Sequence, residues 1–169
     1  MNWIYSNNID NTARFSLGIE GNNTLVCIGI NPSTASPEKP DATIRKVSKI
    51  AEINGYDSWI MLNLYPQRAT NPDLLHPISD IDLHQENLRI IISVLAQNKP
   101  TVWAAWGNLI EKRAYMKECL KDIYNTTKNL NLKWKTLGET TKSGHPRHPL
   151  YLKYDTKFQD FNIEKYLTN

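Results

Sequence analysis

The sequence predicts an α/β fold: a three-layer α/β/α domain on a central four-stranded, mainly parallel sheet, with an added N-terminal antiparallel edge strand. Three observations predict it. Four short apolar segments, Leu25–Ile30, Trp59–Leu64, Thr101–Trp106 and Leu132–Leu137, are rich in β-formers and bounded by turn residues. Helical patterns fill the gaps between them, and strands alternating with helices build a parallel sheet covered on both faces. A distinctive polar cluster follows every strand.

Each element has its own signal. "RFSLGIE-GNN-TLVCIGI" reads as a hairpin, which supplies the antiparallel edge strand. Asp41 can cap a helix running to Asn54, with Ile44, Val47 and Ala51 on one face and Gly55 as its stop. Ser79 or Asp80 can open a second helix, with Leu88, Ile91, Ile92 and Leu95 as its stripe and Asn98 and Pro100 after its end. Asn108 can cap a third, carrying Leu109, Ile110 and Met116 and extending toward Tyr124. Gly138–Tyr151 is a loop rich in His, Pro and Gly. Residues 1–169 form one domain, without repeat or linker.

Composition narrows the function classes. Apolar residues at 40% and charged residues at 22% describe a globular chain. A net charge of +3 is compatible with nucleic acid but too weak to argue for it. Cys27 and Cys119 form no disulfide framework or zinc knuckle. No run approaches the roughly 18 apolar residues of a membrane span, and the N-terminus lacks a basic segment followed by an apolar one. The expectation is a soluble, cytoplasmic protein. There is no Walker motif, no Gly-x-Gly-x-x-Gly and no Gly-x-Ser-x-Gly.

Ligands of such sheets bind beyond the carboxyl ends of the strands. Four loops converge there. Strand one opens into Asn31-Pro32-Ser33, where Pro32 stiffens the exit and Asn31 offers both a donor and an acceptor. Strand two carries Asn63 among apolar neighbours, where an amide is costly unless paired. Its side chain is the complement of an amide-like nucleobase edge. Strand three ends in Trp106-Gly107-Asn108. Strand four leads into "GETTKSGHPRHPLYL". His145 and His148 have a metal-like spacing, but the prolines exclude a regular helix and no Cys or Asp completes a ligand set. A hydrogen-bonding or electrophilic histidine fits this loop better. His76 and His84 fall outside the rim. Asp41 and Arg45 share a helix face as an i, i+4 pair, and Arg68 can meet a phosphate.

These motifs resemble a known set. Nearly the whole chain is similar to the bacterial family called domain of unknown function 1643. The similarity rests on GINPSTA, Asp41-Ala-Thr43-x-Arg45, Asn63-Leu-x-x-x-x-Arg68-Ala, Trp106-Gly107 and Gly144-His-Pro-Arg-His-Pro-Leu150. More distantly, GINPSTA, IMLNLYPQRA, VWAAWGN and GHPRHPL resemble in order the motifs of the uracil-DNA glycosylase superfamily, its mismatch-specific branch above all. That resemblance implies a uracil-DNA glycosylase-like fold and metal-independent hydrolysis of an N-glycosidic bond, with no cofactor. Asn31 would place the attacking water, Asn63 would pair with the base, and His148 would donate to the base oxygen as charge develops on the leaving group.

The chain departs from that pattern at three places. Asn31 stands where the strong glycosylases have Asp, and an amide cannot act as a base; such help is worth about 10²–10⁴-fold. Leu150 replaces a serine, and no aromatic occupies Ser33–Thr34. Asp41 is the candidate for the missing carboxylate, and Asn31→Asp is expected to restore a base. Pro32, Ser33, Arg45, Arg68, Trp106, His145 and Arg147 are the expected substrate-contacting residues around Asn31, Asp41, Asn63 and His148. Three readings stay open: an N-glycosidase, a non-catalytic nucleobase or nucleotide-binding module, and an α/β domain with an unrelated small-molecule site. The expected partners are single-stranded or mismatched DNA, or a free nucleotide, and no membrane.

Overall fold

The computed structural model describes residues 2–97 and 99–168; Asn98, expected after the second helix, lies outside them. The elements follow in the order β1 (Trp3–Asn7), β2 (Arg14–Ile19), β3 (Thr24–Gly29), α1 (Ala42–Ile53), β4 (Ser58–Asn63), α2 (Ile81–Ala96), β5 (Thr101–Ala104), α3 (Tyr115–Thr127), β6 (Lys133–Leu137), β7 (Phe158–Asp160) and α4 (Ile163–Thr168). One mixed seven-stranded sheet runs β1-β2-β4-β3-β5-β6-β7. The expected parallel set is its middle, with β3 between β4 and β5, and β6 outside β5. The four-stranded expectation was too small. The sheet is extended by antiparallel pairs at both ends, β1 and β2 on one side and β7 on the other.

The expected hairpin does not form. β2 pairs antiparallel with β4, not with β3, because β3 already has a parallel neighbour on each edge. The chain instead crosses the start of β4, where the Asp57 carboxylate accepts from Asn22 and Asn23 N–H at 3.2 and 2.8 Å. Gly18 lets β2 approach β4: a Cβ there would meet the Trp59 carbonyl and lie 2.8 Å from Ile60 Cα. β2 is therefore internal, and the true edge strand is β1.

Alternation along β3 separates two cores. Val26 and Ile28 join Ile91 and Leu95 of α2 and Met116, Leu120 and Ile123 of α3. Leu25 and Cys27 face the opposite way, with Ile44, Val47 and Ile50 of α1. Asp41 caps α1 as expected, its Oδ1 accepting from Ile44 N–H at 2.9 Å, and Asp80 caps α2 through Leu83 N–H at 3.0 Å. Gly55 ends α1 at φ +80°, a conformation that suits glycine. Asn108 caps no helix. Gly107–Glu111 is a 3₁₀ turn, α3 begins only at Tyr115, and the Asn108 side chain accepts from Thr141 Oγ1 at 2.7 Å.

Candidate functional site

Gly29 and Asn63 end adjacent parallel strands and stand directly opposite each other. A Cβ on Gly29 would lie 3.0 Å from Asn63 Oδ1 and 2.6 Å from Met61 Cε, so only glycine leaves room for these two side chains against the end of β3. A cleft of about 310 Å³ lies there, at the carboxyl ends of β3 and β4 and against the first turn of α1. Asn31, Pro32, Ser33, Asp41, Asn63 and His148 all line it. Its volume is at the small end of ligand sites, which start at about 300 Å³. A larger cleft of about 430 Å³ lies among the opposite strand ends, near Thr24 and Pro100, away from these residues.

Asn63 is 1% exposed, and both its Oδ1 and Nδ2 are buried without a hydrogen-bond partner among the described residues. An unpaired buried amide costs about 1–3 kcal/mol, so this side chain is held ready at the expense of stability. Its backbone is fixed from below. Asn87 of α2 is itself buried and donates from Nδ2 to the Asn63 and Leu64 carbonyls at 2.9 and 3.2 Å. The signal for Asn87 was a polar residue four positions before Ile91, on the buried side of α2.

His148 enters on the loop after β6. Its Nδ1 accepts from Leu150 N–H at 3.3 Å, which leaves the proton of the neutral ring on Nε2. Burial lowers its pKa below the ordinary 6.5, and nearby Asp41 only partly offsets this. His148 is therefore neutral at pH 7 and carries an Nε2–H donor. Asp41 keeps Oδ1 on the helix cap, while Oδ2 accepts no hydrogen bond from the described residues. The cleft thus combines an amide, a neutral imidazole donor and a carboxylate.

The structure changes the part Asn31 was expected to play. Its Nδ2 donates to the carbonyls of Pro32, Ala69 and Gln67 at 3.0, 2.9 and 3.4 Å, clamping the loop after β3 to the loop after β4. Only Oδ1 remains to meet a ligand or water. Asn31→Asp would set a carboxylate oxygen against these carbonyls, so it is not a simple restoration of a base. Ser33 is likewise engaged, its Oγ 2.9 Å from Thr70 Oγ1.

Five expected residues lie away from the cleft. Trp106 lies in the core on the α2 and α3 side, the face that alternation already gives to Val102 and Ala104; its Nε1 donates to Tyr166 OH at 3.1 Å. His145 joins the same cluster, with Nδ1 2.6 Å from Tyr166 OH and Nε2 3.1 Å from Glu111 Oε1. Arg147 holds its own loop through the Glu139 carbonyl at 2.9 Å. Arg45 forms no ion pair with Asp41 and turns to the Pro40 carbonyl. Arg68 is a brace: it donates to Tyr5 OH at 2.8 Å, Asn11 Oδ1 at 3.1 Å and the Ala35 carbonyl at 3.2 Å.

A second residue that sequence reasoning missed, after Asn87, is Arg14. Ser6 pairs with Ser16 but Asn7 with Arg14, a one-residue slip at Phe15. The slip cancels the usual alternation and brings Arg14 to the side of the sheet that carries Asn63. Arg14 lines the cleft and is 2% exposed. Periodicity carries no sign of a bulge, so the sequence held no signal for it.

Fold and cleft together define an α/β protein with a small polar pocket at the carboxyl edge of its parallel strands. The family model described as protein of unknown function, DUF1643, matches residues 14–150, and the chain belongs to that family. No curated protein matches the chain, and no solved structure does.

Proposed function

We propose that the cleft recognises a nucleobase-type ring, read by Asn63 through a carbonyl and an adjacent ring N–H. The observation that carries this reading is the Asn63 side chain: a donor and an acceptor, both buried, both unpartnered, on the floor of the cleft. Uracil and hypoxanthine present the complementary edge. The reading predicts that Asn63→Ala weakens binding of such a base or its nucleotide by about 1–3 kcal/mol, through loss of two buried hydrogen bonds. Calorimetry on a panel of bases and nucleotides tests it. Equal affinity in wild type and variant would contradict it.

A second reading, metal-independent N-glycosidic hydrolysis, is favoured by one specific observation: Leu150 N–H donates to His148 Nδ1 at the cleft, which leaves Nε2 as the ring's donor. Water oxygen would bond to the anomeric carbon as the C–N bond breaks. The bonding electrons would pass to the base, where the His148 N–H stabilises them. Asp41 Oδ2 is the acceptor for the water proton. This leaves the base to Asp41, the residue expected to supply the missing carboxylate, while Asn31, whose donor group is already committed, has only Oδ1 to place the water. The test is base release from single- and double-stranded oligonucleotides carrying uracil, hypoxanthine or a mismatch, with chelator present. Release lost in both His148→Ala and Asp41→Asn supports hydrolysis. Base binding without release in the wild type supports the non-catalytic module.

A further inference from the structure

The charges around the cleft do not balance. Arg14 is buried, yet no carboxylate among the described residues lies within ion-pair distance of it. Its Nη1 donates to the Ala35 carbonyl at 3.1 Å. Its Nε is buried without a partner, and Nη2 donates to no described residue. Burial and the neighbouring Arg68 pull its pKa down to about 10, against the opposing pull of Asp41. The guanidinium is therefore still charged at pH 7, and Arg68 donates to the same Ala35 carbonyl, with no carboxylate among the described residues paired to either cation. A buried charge left uncompensated is strongly unfavourable.

The first turn of α1 borders the same cleft. Asp41 takes the Ile44 N–H; Ala42 and Thr43 also line the cleft, and their N–H groups have no partner among the described residues. Such groups together with the helix dipole favour an anion. Asn63 supplies the independent observation that a ligand is expected here: an unpartnered amide in the same cavity.

We infer that Arg14 and the Ala42–Thr43 amides form an anion subsite beside Asn63, so that the ligand is a nucleobase-type ring bearing an acidic group. This rests on the base-recognition reading for the ring and adds the charge. The shared chemistry is a compact oxyanion held by a guanidinium and helix N–H groups. It is either the phosphate of a nucleotide or a carboxylate on the ring itself. Asp41, on the same helix end, repels the anion and limits its affinity.

Calorimetric titration of the wild-type protein with uridine, uridine 5′-monophosphate, orotate and inorganic phosphate at low salt tests the subsite without any variant. At least one anionic ring compound is expected to bind about 10- to 100-fold tighter than uridine, the range of one or two charge-assisted hydrogen bonds. Whether the nucleotide or orotate shows the preference identifies the anion. Arg14→Gln should collapse that preference to about onefold, Arg14→Lys should restore part of it, and Asp41→Asn should increase it. If uridine binding depends on Asn63 but no anionic compound is preferred, the subsite is overturned and base recognition stands. If inorganic phosphate binds through Arg14 while no ring compound binds, the subsite stands and base recognition falls. If none of the four binds, both are overturned.

Discussion

Asn63 and His148 carry the account at the residue scale, and each has a consequence for stability. Replacing the unpaired Asn63 amide by leucine, of similar size, should stabilise the unliganded protein by about 1–3 kcal/mol while abolishing ligand binding. Denaturant unfolding measures the first effect and titration the second. A destabilised Asn63→Leu would mean that the amide has a structural partner after all. For His148 the sign follows from its lowered folded pKa. As pH falls through the unfolded value of about 6.5, the unfolded chain takes up a proton before the folded one, so stability declines below that pH until the folded ring titrates too. His148→Gln should flatten the decline, and unfolding curves across this range would show it. At Asn31, loss of the Nδ2 donor to three carbonyls should make Asn31→Asp less stable by about 1–3 kcal/mol. A fully stable Asn31→Asp would contradict the clamp between the two loops.

The elements that the sequence revealed are those with strong periodicity and recognisable caps. The four parallel strands and the starts of α1 and α2 could be read because Asp41 and Asp80 precede clear apolar patterns. β1 and β7 escaped because each is short and partly exposed, as edge strands are, and β7 is largely polar. The partner of β2 was misread because local turn chemistry, "GNN", says nothing about which edge of the sheet is vacant. Gly18 decides that pairing, since only a residue without Cβ fits against the Trp59 carbonyl. Gly18→Ala should therefore separate β2 from β4 and cost about 1–3 kcal/mol. Because β2 carries Arg14, it should also weaken the anion preference. Thermal unfolding combined with the ligand titration checks both, and an unchanged melting temperature would contradict the packing described here.

For the whole molecule, convergence of loops at one sheet edge made most of the cleft legible: Asn31, Asp41, Asn63 and His148 meet where parallel-strand topology places them. Arg14 was illegible because a bulge re-aims it, and Trp106 was misplaced because it shares the sheet face of Val102 and Ala104, opposite Met61 and the cleft. Net charge is also a property of the whole molecule. At +3, the surface supports few phosphate contacts, so any nucleic-acid affinity should vary with salt with a log–log slope shallower than about −5, and single strands should bind better than duplex. Titrations at several salt concentrations measure this. Among the described residues, no helix is long and apolar enough to cross a membrane. The central claim is that Asn63 reads the edge of a nucleobase-type ring, and a crystal structure of the protein soaked with uracil, hypoxanthine and their nucleotides tests it most directly. The account predicts the ring in the cleft beside Gly29, with Asn63 Oδ1 accepting from the ring N–H and Nδ2 donating to the adjacent carbonyl. A ring bound elsewhere, or one that leaves both Asn63 atoms unpaired, would contradict it.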